Sequence, residues 1–188
     1  LDLANGVYTV TVQDSNGCTA TAEAIVAVNS LLVNSSIQTQ VSCAGGNNGE
    51  IIVTVGGGQA PYSYSLNGGA GQPSNVFSNL PAGNYTVVVT DDLSLVATSN
   101  EVMLTDPAAI TVSASAVLNA ISVTASGGTG ALEYSLDGMN FQAGSQFANL
   151  ANGTYTVTVR DANGCTQTTE ATVDVTPLSG SIQASPIL

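Results

Sequence analysis

Leu150-Ala151-Asn152-Gly153-Thr154-Tyr155-Thr156-Val157-Thr158-Val159-Arg160-Asp161 puts Tyr, Val and Val at every second position behind a glycine turn. Alternation with period 2 marks a half-buried β-strand, apolar face inward. The stretch occurs twice more. Leu80-Pro81-Ala82-Gly83-Asn84-Tyr85-Thr86-Val87-Val88-Val89-Thr90-Asp91 is one copy, and Leu3-Ala4-Asn5-Gly6-Val7-Tyr8-Thr9-Val10-Thr11-Val12-Gln13-Asp14 is the other. Around the two later copies the correspondence continues: Val53 with Val123, Gly57-Gly58 with Gly127-Gly128, Tyr64 with Tyr134, Phe77 with Phe147, Pro107 with Pro177. Self-similarity at offsets of 77 and then 70 residues, Tyr8 to Tyr85 to Tyr155, is the signature of a tandem array.

The repeats divide the chain at 1–29, 30–107, 108–177 and 178–188. Residues 30–107 and 108–177 read as complete units and 1–29 as the back end of another. Residues 178–188 read as the first strand of a further unit, since Ser181-Ile182-Gln183 echoes Ser36-Ile37-Gln38. The expectation is an excerpt of a longer array. A two-strand fragment such as 1–29 cannot be stable alone and must borrow a face.

Within each complete unit the other strands follow from the same alternation. Ile37–Ser42 and Ile110–Ala114 are expected first. Ile51/Val53/Val55 and Ile121/Val123/Ala125 come second, Tyr62/Tyr64/Leu66 and Leu132/Tyr134/Leu136 third. Val76–Leu80 and Gln146–Leu150 are short fourths, and Thr98–Thr105 and Gln167–Val175 close the units. No segment carries a helical period. Six or seven short strands per unit predict an all-β chain: tandem immunoglobulin-like antiparallel β-sandwich domains arranged end to end. Tyr85 and Tyr155 sit where a tyrosine corner would, two residues after Gly83 and Gly153, and Tyr8 is the matching structural residue of the partial copy. Asn16-Gly17 and Asn163-Gly164 occupy tight hairpins that need positive φ. Pro107 and Pro177 close repeats because proline cannot extend a ladder.

Composition removes whole classes of function. The 188 residues include one Arg, no Lys, no His and no Trp, with a net charge of −12. A basic groove for nucleic acid is impossible on one Arg. Imidazole catalysis, His-ligated metals and Schiff-base lysines are missing. No apolar run approaches the length of a membrane span, so no membrane insertion is expected. A hydrophobic fraction of 44% is too high for disorder.

Tyr64-Ser65-Leu66-Asn67-Gly68 … Phe77-Ser78-Asn79-Leu80-Pro81-Ala82-Gly83-Asn84-Tyr85-Thr86-Val87 resembles the SprB repeat, as do Tyr134–Gln142 with Phe147–Thr166 and Val41–Gly49. The resemblance implies a very large repetitive surface adhesin of gliding Bacteroidetes, exported by type IX secretion. It implies a cell-surface or extracellular location. Asp91-Asp92-Leu93-Ser94-Leu95 departs from the Asp-x-Asn-Gly-Cys of the other copies, and Ala116–Asn119 stands in place of the Cys43 segment.

A surface setting invites disulfides. In a sandwich whose first and last strands run the same way, Cys43 lies at the bottom of its unit and Cys165 at the top of its own. A strand of about seven residues spans about 23 Å at roughly 3.3 Å per residue, far beyond disulfide reach inside one unit. In an end-to-end array bottom meets top, which favours Cys43–Cys165. Cys18–Cys43 is the rival pairing, and free thiols remain open.

Other candidates weigh less. Asp14-x-Asn16-Gly17 and Asp161-x-Asn163-Gly164 resemble the front of a calcium loop but lack its later ligands. A calcium site built from Asp91, Asp92 or Asp106 is a weak alternative to no cofactor at all. Glu133 and Asp137 share a strand face, yet Glu133 alternates with apolar residues and reads as solvated surface rather than half of a glycosidase pair. Val88, Leu93 and Leu95 form a candidate contact patch.

The expected function is a structural repeat segment of a long extracellular filament or stalk serving adhesion and gliding, and not an enzyme. Its expected partners are neighbouring repeats of the same chain, with surface polysaccharide or gliding-machinery surface proteins beyond them. The alternative is a carbohydrate-binding module that reads polysaccharide through loops or sheet faces.

Overall fold

The computed structural model describes residues 6–26 and 30–175. The strand expected at 178–188 and the closing Pro177 lie outside the described residues. Among the described residues every regular element is a β-strand, and the pairings are antiparallel. The chain forms two compact units: residues 1–39, 50–78 and 83–104 in the first, residues 40–49, 79–82 and 105–188 in the second.

The first unit begins with a hairpin, β1 (Gly6–Gln13) and β2 (Thr19–Val26), paired from Gly6↔Val26 to Gln13↔Thr19. One sheet follows from β3 (Leu31–Thr39), β4 (Gly49–Gly57, its first residue assigned to the second unit) and β7 (Val76–Leu80, its last two residues likewise). The facing sheet has the order β10-β9-β5-β6, from β5 (Ser63–Leu66), β6 (Gly71–Gln72), β9 (Val87–Thr90) and β10 (Val96–Thr98). β8 (Gly83–Tyr85) pairs with β11 (Val102–Leu104). Val33, Ile51 and Val53 from one sheet and Tyr64, Val87 and Val89 from the other are buried, with Phe77, Tyr85 and Leu104. Alternate residues from two sheets filling one interior is the sandwich expected of this pattern.

The second unit has the same plan. Its sheets are β12-β13-β15, from β12 (Thr111–Val117), β13 (Ala120–Ser126) and β15 (Gln146–Phe147), and β14-β16-β17, from β14 (Glu133–Ser135), β16 (Gly153–Arg160) and β17 (Thr166–Val173). Ile110, Ile121 and Val123 close against Val157, Val159, Ala171 and Val173. Val157 and Val159, the residues whose spacing set the expectation, are 0% exposed. At about 1.5–3 kcal/mol for each fully buried aliphatic side chain, this shared face is the main stabilising term.

Several strands differ from their expected bounds. The first strand of the second repeat runs Leu31–Thr39 rather than Ile37–Ser42. Val33 and Ser35 are its buried positions, while Ile37 is exposed. The Tyr85 strand breaks at Thr86, because the Thr86 N–H donates to Asn67 Oδ1 at 2.8 Å and the Val87 N–H to Ser99 Oγ at 3.0 Å. The last strand of that repeat breaks between Thr98 and Val102. Asn100 turns there to clasp the Ser35 backbone, accepting from its N–H at 2.8 Å and donating to its carbonyl at 3.0 Å.

Candidate functional site

The features most open to a functional reading converge on one loop of the second unit, Asp161 to Cys165. Gly164 has φ 83°, while Asn163 keeps ordinary negative φ. The Asn-Gly turn thus takes its expected positive φ at the glycine. It is a type I turn ending in a left-handed glycine, with the Gly164 N–H donating to the Asp161 carbonyl at 3.0 Å. Asp161 builds it: Oδ1 accepts from the N–H of Asn163 at 3.0 Å and of Cys165 at 2.9 Å, and Oδ2 from the N–H of Thr129 at 2.8 Å. Burial pushes this carboxyl up, but the backbone donors outweigh burial and hold it below its ordinary 3.8.

The Thr129 donor arrives because Gly127 and Gly128 both take positive φ, 82° and 69°. A Cβ on Gly128 would lie 3.0 Å from Asp161 Oδ2 and 2.9 Å from the Ile110 side chain, so only glycine fits that approach. The first unit repeats the device with other residues. Asp91 accepts from Gln59, Leu93 and Leu95 N–H groups at 2.9, 3.0 and 2.7 Å. Its carboxyl too is pushed up by burial and pulled further down by those donors.

The turn presents Cys165 to Cys43, and the two form a disulfide with 5.6 Å between Cα atoms and a sequence separation of 122. Cys18 is exposed and holds a free thiol. The Cys43 loop belongs to the second unit together with Cys165. It is held there by more than sulfur: Asn163 Nδ2 donates to the Ser42 carbonyl at 3.0 Å, and the Gly45 N–H donates to Asp106 Oδ2 at 3.0 Å. Ser42 and Asn48 brace the loop internally, the Ser42 N–H donating to Asn48 Oδ1 at 2.9 Å. Pro107 and Ala108 to Ile110 line a cavity of about 270 Å³ beside the disulfide.

The other expected residues fall as follows. Tyr155 completes a corner, its hydroxyl donating to the Ala151 carbonyl at 3.0 Å, and Tyr85 is buried. Gly83 and Gly153 have φ 158° and 159°, close to extended backbone. Of the calcium candidates, Asp91 and Asp106 give carboxylate oxygens to backbone N–H groups, and Asp92 is exposed. Among the described residues no group of three or more His, Cys, Asp or Glu is placed to hold a metal. Glu133 and Asp137 do not converge. Asp137 closes its own turn by accepting from Met139 and Asn140 N–H groups at 2.8 and 2.7 Å, and Asn140, through side chain and backbone, leads in holding its carboxyl far below the usual range.

Glu133 is not merely solvated: Arg160 donates to it at 2.7 Å, and the guanidinium lies 3.8 Å from the centre of the Phe141 ring. An open cleft of about 480 Å³ borders this pair and the Asp161 loop. Sequence reading missed the cluster, although the cross-strand register Glu133↔Arg160 was its available signal. In the candidate patch Val88 is half-buried, while Leu93 and Leu95 are exposed.

Residues 35–71 match the model of the SprB repeat family. The matched stretch is similar to an adhesin-type repeat, and the disulfide is of the kind that persists in oxidising, extracellular settings. No curated protein matches the chain. Among solved structures, the chain is similar to a C-terminal 282-residue fragment of intimin, solved in complex with the intimin-binding domain of its translocated receptor. Identity is 14% over 77% of this chain and 64% of that one, with a TM-score of 0.39. It is also similar to the N-terminal eight Ig domains of Down syndrome cell adhesion molecule isoform 1.30.30, at 16% identity over 93% of this chain and 27% of that one, TM-score 0.41. Extracellular domains 3–5 of Drosophila OTK give 12% identity over 92% and 72%, TM-score 0.35. The chain thus spans less than two thirds of the first two, and likeness at this level carries no argument about function.

Proposed function

We propose that this chain is a tension-carrying repeat segment of a long extracellular adhesin stalk, used in adhesion and in gliding over surfaces after type IX export. The observation that carries the reading is the Cys43–Cys165 disulfide with its separation of 122 residues. Tension entering near Cys43 passes through the sulfurs to Cys165 and bypasses the polypeptide between them. That bypassed stretch contains β4 to β16, most of both sandwiches. Such a device suits a molecule that must keep its reach under load. The SprB-repeat match supports the adhesin setting. Neighbouring repeats are the structural partners in this reading, and no catalytic step or cofactor enters it.

The test is surface labelling of intact, moving cells with antibody raised against residues 30–175. Labelling that travels along the cell with the gliding machinery supports the proposal. Label found only after lysis overturns it.

A second reading, glycan recognition, draws on the Arg160–Glu133 pair, which lines an open cleft while Phe141 stacks on the guanidinium. Glycan-array binding abolished by Arg160→Ala would favour it. An array without signal removes it.

A further inference from the structure

The hairpin β1–β2 matches the closing hairpin of the second unit, and its apolar face is uncovered. Its register from Gly6↔Val26 to Gln13↔Thr19 is the register of β16–β17 from Gly153↔Val173 to Arg160↔Thr166. The sequences correspond strand for strand, Gly-x-Tyr-Thr-Val-Thr-Val running into Asp-x-Asn-Gly-Cys in both. The turns correspond as well. Asp14 Oδ1 accepts from the N–H of Asn16 at 2.9 Å and of Cys18 at 2.8 Å, as Asp161 Oδ1 does from Asn163 and Cys165.

The environments are opposite. Val157 and Val159 are 0% exposed, whereas Val10 and Val12 are 54% and 65% exposed. Cross-strand from them stand Ala22 and Ala20, where the closed unit has Thr169 and Gln167, so the open face is the more apolar of the two. Cys165 is bonded to Cys43, and Cys18 is free.

We infer that β1–β2 is a docking face for the open half of a repeat of this same type. The occupant presents a three-stranded sheet like β12-β13-β15, with aliphatic residues at the positions of Ile110, Ile121 and Val123, to cover Val10 and Val12. It also carries a cysteine loop of the Ser42-Cys43-Ala44-Gly45 kind to meet Cys18. The second unit shows both contacts made by a hairpin of similar sequence and the same register. Asn16 stands where Asn163 donates to the Ser42 carbonyl and supplies the same bond. The covalent step joins two thiols as one disulfide. Two protons and two electrons leave, and a small-molecule disulfide such as oxidised glutathione takes them and becomes two thiols. The inference is independent of whether the chain carries tension.

The test places a second copy of residues 30–149 directly ahead of Leu3, so that the repeat register runs on unbroken, and oxidises the protein with a glutathione buffer. Peptide mapping without reduction is expected to find Cys18 joined to Cys43 of the added copy. Amide exchange at Val10 and Val12 is expected to slow by at least about 100-fold relative to the 188-residue chain, since burial of that face makes local opening costly. With Cys18→Ser in the extended protein, the slowing persists in weaker form. Val10→Ser with Val12→Ser leaves the 188-residue chain unchanged and restores fast exchange in the extended one. A free Cys18 with unchanged exchange overturns the inference. So does a Cys18–Cys18 dimer, which would assign the face to a second hairpin.

Discussion

Asp161→Ala removes the acceptor that holds three backbone N–H groups, those of Thr129, Asn163 and Cys165 at 2.8, 3.0 and 2.9 Å. A buried donor left without a partner costs about 1–3 kcal/mol. Thr129 and Asn163 lie at the surface, so water partly replaces the carboxylate there and the low end applies. The sum is about 3 kcal/mol, large for a single substitution. With a urea m-value of about 2 kcal/mol/M for a small domain, the midpoint of the second unit falls by about 1.5 M. The assay is urea unfolding of the oxidised chain, followed by hydrogen-exchange mass spectrometry on peptides from 153–173, so that this unit's own transition is read. Asp161→Asn keeps one acceptor and loses the charge, and is expected to cost about half as much. A midpoint shift below about 0.5 M for Asp161→Ala would refute the claim that this carboxylate organises the loop.

Other outcomes follow from the same contacts. The carboxyls of Asp91, Asp137 and Asp161 are all held below their ordinary 3.8 in the folded state, so their contribution is complete above 3.8 and is lost as pH falls below it; acid titration of the unfolding midpoint should be flat at neutral pH and decline only in that range. Gly128→Ala meets both a φ of 69° and close contacts with Ile110 and Asp161, whereas Gly164→Ala meets a φ of 83° in open space; thermal melts should rank Gly128→Ala as the more damaging, with Gly164→Ala costing about 1–2 kcal/mol. Trypsin has one site, Arg160, which pairs with Glu133 and precedes the buried Asp161; the folded chain should resist cleavage for hours, and rapid cutting would show that this strand opens locally.

The sequence made the sandwich legible wherever an apolar residue recurs at every second position. Tyr155, Val157 and Val159 mark the inner face of β16 without ambiguity, and the offset copies carry that reading through the chain. It failed where polar side chains do the backbone's work. β3 was hidden because its inward positions are Val33 and Ser35, and because Asn100, 65 residues away, supplies the bonds that hold Ser35. The breaks at Thr86 and at Ser99 to Glu101 come from Asn67 and Ser99 capturing ladder N–H groups, which no alternation reveals. At the site, the three cysteines and the Asp-x-Asn-Gly turn were visible as letters. The Thr129 contact to Asp161 depends on two consecutive left-handed glycines, and the Arg160–Phe141 stack on a loop conformation; neither has a one-dimensional trace.

The central claim, that a disulfide shields most of the chain from tension, is tested most directly by single-molecule stretching from residue 1 to residue 188, with and without reductant. The sequence separation of 122 corresponds to about 400–440 Å of extended chain at 3.3–3.6 Å per residue. The oxidised molecule should never release that length, and the reduced molecule should release it in addition to the rest. Equal contour lengths in the two conditions would contradict the account.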